Sequence, residues 1–504
     1  MGPEKKPGTW SFSLVGGAMR KLRDDDDLSV PSPDGSQVAV LRDNAIWIMD
    51  LDGENPRKLV SADKGRWVGR PEWSPDGRRL AYSNGGPQGI AIESRDLGGG
   101  PPMTIIPSNS RVGDSSSGRG LAHMAMPTVC WTRDGYIVYL MAEPPPNENS
   151  NNFWEVSVDP RTGRPTSAPR RISKWLGYWQ SSPSVSADGK RLGYLRGHSH
   201  SNIYVAQLEG GGMSVTKDVQ QLTFDIRVDW FGAWTRDSKA VLFYSDRKGT
   251  FDIFRQRLGE RQPEPVVVGP QEERDPQISP DGSWIVYFAY DKIRDGSIPS
   301  TGRIMRVPVS GGQPQFIEDV KGYPGCANCC SDLDSGRNPA LRCPNKPNAL
   351  CVLSEVEQGR IVFTSIDVGT GKKSELFRVD AADPYDAYWD LSPDGSRIAF
   401  GEPDSGCQIR ILTLAGLTER TLAVKGRAHC IAAAWPQRGD GLFVESYTDV
   451  KSTLLRVSWD GDAKPLRTSL KWFRHFGESP DGKYLAFTDV IGDSNAWMIE
   501  NFEK

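Results

Sequence analysis

The stretch Pro71-Glu72-Trp73-Ser74-Pro75-Asp76-Gly77-Arg78-Arg79-Leu80-Ala81-Tyr82 decides the fold of this chain. At its centre, Asp76-Gly77 is a hairpin-turn pair, because glycine tolerates a positive φ and an aspartate side chain bonds its own backbone. Pro75 fixes φ just before the turn and ends the preceding strand. Leu80-Ala81-Tyr82 then opens a β-rich run. The stretch therefore predicts two short strands joined by a tight turn.

The same turn recurs along the chain at a mean spacing of about 50 residues, which is typical of repeat architectures. The clearest copies are Asp34-Gly35, Asp76-Gly77, Asp134-Gly135, Asp188-Gly189, Asp281-Gly282, Asp394-Gly395 and Asp481-Gly482. The step from 281 to 394 is long enough to contain a further unit, and we assign a degenerate copy to Glu357-Gln358-Gly359-Arg360. We interpret the aspartates and glycines as structural turn residues, one pair per unit, and not as metal ligands or catalytic acids.

Each turn is followed by a β-rich run and then by an alternating one, as in Val38-Ala39-Val40 and Ile46-Trp47-Ile48-Met49. Three or four short strands in each unit of about 40–50 residues predict an all-β fold, a β-propeller of about eight to ten blades. A single large ring is the favoured arrangement. Two smaller propellers are the alternative, with the break inside Gly311–Cys351. Recurring tryptophans are expected in the core between blades: Trp47, Trp73, Trp131, Trp234, Trp389, Trp435 and Trp497.

The repeat pattern also divides the chain into stretches. Residues 1–22 are expected to form an outer blade strand, because Trp10–Leu14 copies Trp47–Leu51 at an offset of 37 (47 − 10). This strand either closes the ring against the C-terminal blade or belongs to a truncated blade. Propeller blades are expected over 23–310 and 352–504, with a Cys-rich insertion over 311–351.

Composition excludes several classes of protein. The 504 residues contain 61 Lys and Arg against 64 Asp and Glu, a net charge of −3. This balance argues against a nucleic-acid partner, since such proteins carry a basic excess. No apolar run approaches the ~18 residues of a membrane helix, so no membrane span is predicted. The N-terminus lacks the apolar core of a signal peptide. The chain is therefore either cytoplasmic or lacks an upstream export or membrane segment.

The unit P-x-W-S-P-D-G-x-x-[IL]-A-[FY], carried by residues 71–82, resembles the TolB-type propeller repeat. The whole chain is similar to the propeller region at the C-terminal end of large bacterial proteins, notably acidobacterial kinase and winged-helix regulators. Residues that carry this closer resemblance include Tyr388–Gly395, Val307–Gly312 and Asn495–Phe502. Such propellers serve as scaffolds, sensors and peptidase gates, so the resemblance implies a fold more than a function. It also implies an extracytoplasmic, periplasmic location.

Five of the eight cysteines fall within one window, Cys326, Cys329, Cys330, Cys343 and Cys351. Their spacing leaves disulfides, free thiols and a zinc knuckle as alternatives. A cysteine pair at the position of Cys343 and Cys351 recurs in the resembling family, which favours a disulfide between them. An oxidising compartment would favour the same bond.

Motifs for catalysis or cofactors are lacking. Gly369–Ser374 looks like a phosphate loop but lacks the upstream glycine, and no G-x-S-x-G elbow occurs. The sequence therefore predicts no catalytic residue, no cofactor and no metal. It favours a non-enzymatic binding or scaffold module, the sensor or interaction part of a bacterial envelope or regulatory system, with a protein, peptide or glycan partner held on a rim or in a channel. The alternative is a propeller-based hydrolase, or a peptidase-associated domain that lacks its catalytic module.

Overall fold

The computed structural model of the chain describes residues 10–12, 19–21, 28–51, 53–86, 89–108, 129–144, 150–186, 188–210, 212, 214–225, 227–291, 301–321, 339–384, 386–403, 405–438, 440–448, 451–469 and 473–500. Within these ranges every regular element is a β-strand. Most strands join four-stranded antiparallel sheets. The predicted all-β propeller class is therefore confirmed. None of the described residues forms a helix that could cross a membrane.

The chain divides into two compact units. The first contains the described residues within 1–198 and 493–500, and the second contains those within 199–492. Two units correspond to the alternative of two smaller bodies and not to the favoured single ring. The division falls between His198 and Ser199 rather than inside Gly311–Cys351. Sequence repeats alone do not locate such a division, because each blade carries the same turn wherever it lies.

The first unit is built from short antiparallel strands. They are β1 (Trp10–Phe12), β2 (Met19–Lys21), β3 (Leu28–Pro31), β4 (Gln37–Arg42), β5 (Ala45–Asp50), β6 (Arg57–Ser61), β7 (Trp67–Val68), β8 (Glu72–Trp73), β9 (Arg79–Gly86), β10 (Gly89–Asp96), β11 (Met103–Ile106), β12 (Cys130–Trp131), β13 (Tyr136–Ala142), β14 (Asn151–Ser157), β15 (Arg170–Arg171) and β16 (Trp179–Val185). The long strand β17 (Arg191–Glu209) begins here, paired with β16, and its second half belongs to the second unit.

The second unit continues the series with longer, more regular sheets. Its further strands are β18 (Ser214–Gln221), β19 (Asp229–Trp234), β20 (Ala240–Ser245), β21 (Asp252–Arg257), β22 (Glu264–Val267), β23 (Glu272–Ile278), β24 (Trp284–Tyr290), β25 (Thr301–Pro308), β26 (Gln315–Lys321), β27 (Ala340–Arg342), β28 (Cys351–Glu357), β29 (Arg360–Ile366), β30 (Lys373–Asp380), β31 (Tyr388–Leu391), β32 (Arg397–Gly401), β33 (Gln408–Thr413), β34 (Thr418–Ala423), β35 (Cys430–Ala434), β36 (Leu442–Thr448), β37 (Lys451–Val457), β38 (Ala463–Ser469), β39 (Phe473–Glu478) and β40 (Tyr484–Glu500). The end of β40 belongs to the first unit.

The described strands of the second unit form a closed ring of six sheets. Five sheets are continuous in sequence, from β19-β20-β21-β22 to β35-β36-β37-β38. The sixth has the order β39-β40-β17-β18, so strands from both ends of the unit build one sheet. β39 contacts both β19 and β35. Trp234 Nε1 donates a hydrogen bond to the Gly477 carbonyl at 2.9 Å. The sheet built from β39, β40, β17 and β18 therefore closes the ring.

Apolar side chains fill the spaces between neighbouring sheets. Phe363 of β29 meets Trp389 of β31 edge to face, with ring centroids 5.1 Å apart. Ile409 of β33 and Leu455 of β37 belong to the core of the next sheet pair. Each sheet thus buries both faces against its neighbours, which a single blade cannot do.

The recurring Asp-Gly pairs form the turns that begin the second strand of a sheet. At the first of them the Ser32 hydroxyl donates to the Asp34 carboxylate at 2.6 Å, and the backbone N–H of Ser36 donates at 3.0 Å. The Ser32 hydrogen bond is the main reason that the pKa of Asp34 falls to about 2. Every glycine of the seven pairs has a positive φ, a conformation that favours glycine: Gly35, Gly77, Gly135, Gly189, Gly282, Gly395 and Gly482. The structure gives these residues the geometry of turns.

The copy of the turn assigned to Glu357–Arg360 is wrong in position. That stretch is the hairpin between β28 and β29, the second and third strands of their sheet. The turn that corresponds to Asp-Gly lies between β27 and β28, over residues 343–350. Pro344-Asn345 stands there in place of Pro-Asp. A disulfide between Cys343 and Cys351, whose Cα atoms are 4.2 Å apart, holds its two ends together.

The other cysteines differ in their state. Cys407 and Cys430 form a second disulfide, which the sequence analysis did not pair, with Cα atoms 4.8 Å apart. It joins the start of β33 to the start of β35, in neighbouring sheets. Cys130 is a buried free thiol, and burial raises its pKa. The remaining cysteines of the predicted insertion, Cys326, Cys329 and Cys330, lie outside the described residues. The stretch 311–351 also contains β26 and β27, so part of it is sheet.

The N-terminal hairpin of β1 and β2 has the same strand register as the third and fourth strands of a four-stranded sheet. Trp10 pairs with Lys21, and Trp47 pairs with Lys58, at the same offset of 37 (47 − 10 and 58 − 21). β1 and β2 therefore correspond to β5 and β6, the third and fourth strands of their sheet. Among the described strands β1 pairs with β2, and the two arrangements expected for residues 1–22, ring closure or a truncated blade, stay predictions.

Five of the seven recurring tryptophans lie between sheets, namely Trp73, Trp131, Trp234, Trp389 and Trp435, whereas Trp47 is half-buried and packs against Val38, Val40 and Met49 of its own sheet. Trp73 Nε1 donates to the Val30 carbonyl, and Trp389 Nε1 donates to Ser354 Oγ at 2.8 Å. Each bond links a first strand to the preceding sheet. Trp497 is 46% exposed, so its assignment to the core is wrong. It lies on β40, beyond the last repeat, where the repeat no longer dictates which face is buried.

A buried carboxyl pair in the second unit makes stability depend on pH. Burial and the neighbouring Asp252 raise the pKa of Glu273 to about 8, from its ordinary value of 4.5. The folded chain then holds a proton that the unfolded chain releases, so stability falls as the pH rises toward 8. Between about pH 5 and about pH 8 we therefore expect wild type to lose stability relative to Glu273→Gln. Urea unfolding at several pH values measures this difference.

Glu318→Gln, on an outer strand with a side chain 38% exposed, is the control and should follow wild type. Parallel pH profiles for all three proteins would contradict the prediction.

Candidate functional site

The central channel of the second unit is a cavity of about 190 Å³. The first strand of each sheet lines it, namely β19, β23, β27, β31, β35 and β39. These strands approach closely because small residues stand at the contacts. A Cβ atom at Gly232, for example, would lie 2.6 Å from Pro276 Cγ on the neighbouring strand. The close approach keeps the channel narrow, so its lining side chains face one another across a short distance.

Arg342 and Asp390 form a charged pair in the channel wall. Arg342 Nε lies 3.6 Å from Asp390 Oδ1, which is longer than a hydrogen bond. The other carboxylate oxygen accepts the backbone N–H of Trp435 at 2.9 Å. Burial raises the pKa of Asp390 to about 6, because desolvation outweighs the charge of Arg342 and the backbone N–H groups of Trp435 and Leu391. Both side chains remain about one-fifth exposed, at 19% and 21%, so both reach the lumen. The carboxylate therefore has backbone N–H partners, whereas Arg342 lies beside it without a hydrogen bond.

Aromatic rings surround this pair. Trp389 packs behind it, with its ring centroid 5.7 Å from the Arg342 guanidinium carbon. Phe231, Tyr388 and Trp435 belong to the same cavity wall. The same lining also carries polar and charged groups, and a few polar groups that converge on a concave cavity fix the orientation of a bound ligand.

At the end of the channel near the turns, polar side chains cross from sheet to sheet. Arg236, after β19, donates to Asn345 Oδ1 and to the Ser279 carbonyl. Asn345 Nδ2 donates to Gln437 Oε1 at 2.7 Å. The backbone N–H of Gln437 in turn donates to Glu478. Asn345 follows β27 and Gln437 follows β35, with the sheet of β31 between them in the ring. The bond between them therefore spans the end of the channel.

This crossing gives a test of its own. Asn345→Ala removes the hydrogen bonds to Arg236 and Gln437, so we expect a loss of about 1–2 kcal/mol in the free energy of unfolding. Lys346→Ala, the next residue in the same turn, removes an exposed side chain and should change stability by less than about 0.5 kcal/mol. Urea unfolding of both variants decides the matter. Equal stability of the two would mean that the crossing contributes nothing.

Further along the channel, two lining residues lie at β-bulges. Asp275 has φ 51° and His475 has φ 42°, in the left-handed region that residues other than glycine seldom adopt. The register of β23 and of β39 shifts at these residues. Bulges redirect side chains and recur beside functional sites. The His475 ring lies 5.3 Å from that of Trp230.

The structure does not bring the sequence-predicted turn residues together into one cluster, since they are distributed over the sheets. In the part of the chain that the structure describes, no group of three or more His, Cys, Asp or Glu could hold a metal ion. The lining residues Arg342, Asp390 and Glu478 were missed by sequence reasoning. A weak signal exists for two of them, because Asp390 and Glu478 are charged residues just before a Ser-Pro-Asp-Gly turn.

No protein-family model matches the chain, and no curated protein matches it. Solved structures do match it. A putative TolB from Agrobacterium tumefaciens is 18% identical, with 62% of this chain and 88% of that chain covered and a TM-score of 0.24. TolB from Acinetobacter baumannii is 13% identical, with 71% and 64% covered and a TM-score of 0.24. A puromycin-hydrolyzing peptidase from Mycobacterium tuberculosis is 13% identical, with 83% and 58% covered and a TM-score of 0.31. The chain spans less than two thirds of the last two proteins. These similarities concern the fold alone.

Proposed function

We propose that this chain is a non-enzymatic binding module in which the channel of the second unit holds a segment of a peptide or protein partner. The observation that carries the proposal is the Arg342–Asp390 pair, whose side chains lie beyond hydrogen-bond distance of each other and are about one-fifth exposed in the channel wall. Charged groups placed in a concave cavity fix the orientation of a bound ligand and give specificity. The module would act as the sensor or interaction part of a bacterial envelope or regulatory system.

An extracytoplasmic location belongs to the same proposal. The two disulfides, Cys343–Cys351 and Cys407–Cys430, support it. Disulfides form and persist in oxidising compartments and are rare in the cytosol of mesophiles.

Panning tests the binding proposal directly. Two pools of short random peptide amides, one with free amino termini and one N-acetylated, are passed over the immobilised full chain. The retained peptides are then titrated against wild type, Arg342→Gln and Phe316→Ala. We expect Arg342→Gln to weaken binding about tenfold or more, which corresponds to a lost charge-assisted hydrogen bond. Phe316 is 55% exposed on β26, away from the channel lining, and Phe316→Ala should bind like wild type. Retained peptides that bind Arg342→Gln and wild type equally would contradict a channel site.

A catalytic assay tests the non-enzymatic part of the proposal. Wild type and Asp390→Asn are incubated with chromogenic ester and peptide substrates. We expect no turnover from either protein. Turnover by wild type that disappears in Asp390→Asn would assign chemistry to the channel and overturn this part.

A further inference from the structure

We propose that the channel receives the free amino terminus of a peptide, with the terminal ammonium on Asp390 and the first carbonyl oxygen on Arg342. The inference rests on the proposed channel function and names the chemical class of its ligand.

The charges that line the channel favour a cation. The cavity lining contains three carboxyl groups, those of Asp275, Asp390 and Glu478, and one guanidinium, that of Arg342. Glu478 is engaged by the backbone N–H of Gln437 at the end of the channel. In a partly desolvated cavity an opposite charge is attracted more strongly than it is in water. A ligand with a positive charge therefore offsets the excess of carboxyl groups in the cavity lining. A ligand with a negative charge adds to that excess.

Asp390 offers a specific atom for that charge. Its Oδ2 accepts the N–H of Trp435, whereas its Oδ1 lies 3.6 Å from Arg342 Nε, beyond hydrogen-bond distance. A carboxylate oxygen has two lone pairs, so Oδ1 retains capacity to accept. An ammonium group carries three donors and no acceptor. The two are complementary on the exposed side of the carboxylate.

The guanidinium of Arg342 limits which amines the site can bind. A guanidinium is a donor only, so the ligand needs an acceptor close to its ammonium. The first residue of a peptide supplies one, because its carbonyl oxygen lies one backbone unit from its amino group. A lysine side chain ends in an ammonium on a methylene stem and brings no such acceptor. A peptide carboxyl terminus would suit Arg342 but would place a second negative charge beside Asp390.

The shape of the channel also suits a chain end. The bond from Asn345 to Gln437 spans the channel near the turns, so a ligand that enters from the other end stops there. The cavity of about 190 Å³ is smaller than the ~300 Å³ or more of pockets that hold drug-sized ligands. A terminus needs room for one strand of peptide, whereas an internal loop needs room for two.

The closing experiment compares three versions of each peptide retained from the free pool. They are the free form, the N-acetylated form, and an N-acetylated form with one lysine added. Isothermal titration against wild type, Asp390→Asn and Arg342→Gln gives the affinities. We expect acetylation to weaken binding to wild type about tenfold or more, the scale of one charge-assisted hydrogen bond. Asp390→Asn should weaken the free form by a similar factor and leave the acetylated form unchanged. The Asn side chain keeps an oxygen for the Trp435 N–H, and melting curves confirm that each variant is folded.

Three other results overturn the inference, and they are distinguishable. If acetylated and free peptides bind equally well and Arg342→Gln weakens both, the channel function stands and the amino-terminal assignment fails. If the added lysine restores binding to an acetylated peptide in an Asp390-dependent way, the site recognises amines in general and not a terminus. If Arg342→Gln weakens nothing, the proposed channel function fails together with the inference.

Discussion

Replacing Trp389 by alanine should lower the free energy of unfolding of the second unit by about 3–5 kcal/mol, the range for truncation of a large buried aromatic side chain. Trp389 is 2% exposed and belongs to the core between the sheets of β29 and β31. The substitution removes its edge-to-face contact with Phe363 and leaves a cavity. It also leaves the Ser354 hydroxyl without the Nε1 donor. Urea unfolding monitored by circular dichroism measures the loss.

Two further variants serve as controls for the stability of Trp389→Ala. Trp389→Phe keeps most of the apolar volume and loses the hydrogen bond, so it should lose less than the alanine variant. Phe316→Ala removes an aromatic ring that is 55% exposed and should change stability by less than about 0.5 kcal/mol. If Trp389→Ala were no less stable than Phe316→Ala, the packing between these two sheets would not hold the ring together.

Removing the Cys407–Cys430 disulfide should have the next largest effect. The bond closes a loop of 23 residues and links two neighbouring sheets. In the chain-entropy account, a loop of this length gives a stabilisation of about 3 kcal/mol. The Cys343–Cys351 bond closes a loop of only 8 residues, so its removal should lose about 2.5 kcal/mol.

The comparison uses serine pairs, Cys407→Ser with Cys430→Ser, and Cys343→Ser with Cys351→Ser. Thermal unfolding under oxidising conditions gives the order of stability, and addition of a reductant should bring wild type down to or below the level of the variants. Mass spectrometry of alkylated native protein checks that the four thiols are blocked. Full alkylation of all four without reduction would contradict both bonds and the extracytoplasmic proposal with them.

The fold could be predicted from the sequence because its signal is local and repeated. Ser32, Asp34 and Gly35 build their turn from their own side chains and backbone, so a short motif carries the information. The relation of β1 and β2 to β5 and β6 was likewise present in the spacing. Where the motif is replaced, prediction failed. The turn over 343–350 is held by a disulfide instead of a Ser-Asp hydrogen bond, so the repeat pattern matches the next glycine turn, at Gly359, more closely than the true one.

The candidate site could not be predicted in the same way. Arg342 and Asp390 are 48 residues apart (390 − 342), and they meet only because their sheets are neighbours in a closed ring. Nothing local distinguishes them from other charged residues. The Asn345 to Gln437 bond is longer still in sequence and depends on a turn that departs from the repeat. The division between His198 and Ser199 falls inside the continuous strand β17, where no linker composition marks it.

The sheet with the order β39-β40-β17-β18 has a consequence for synthesis on the ribosome. β17 and β18 emerge early in the production of the second unit, but β40, the strand that pairs with the other edge of β17, is the last of that unit to be translated. Until then the backbone groups along one edge of β17 have no sheet partner, and an unpaired edge invites association with other chains. This edge of β17 therefore stays unpaired while the five other sheets of the unit are translated, and only then can the ring close. Slow translation or crowded polysomes should increase aggregation during expression, and supplying residues 473–489 as a separate peptide should compete for that edge.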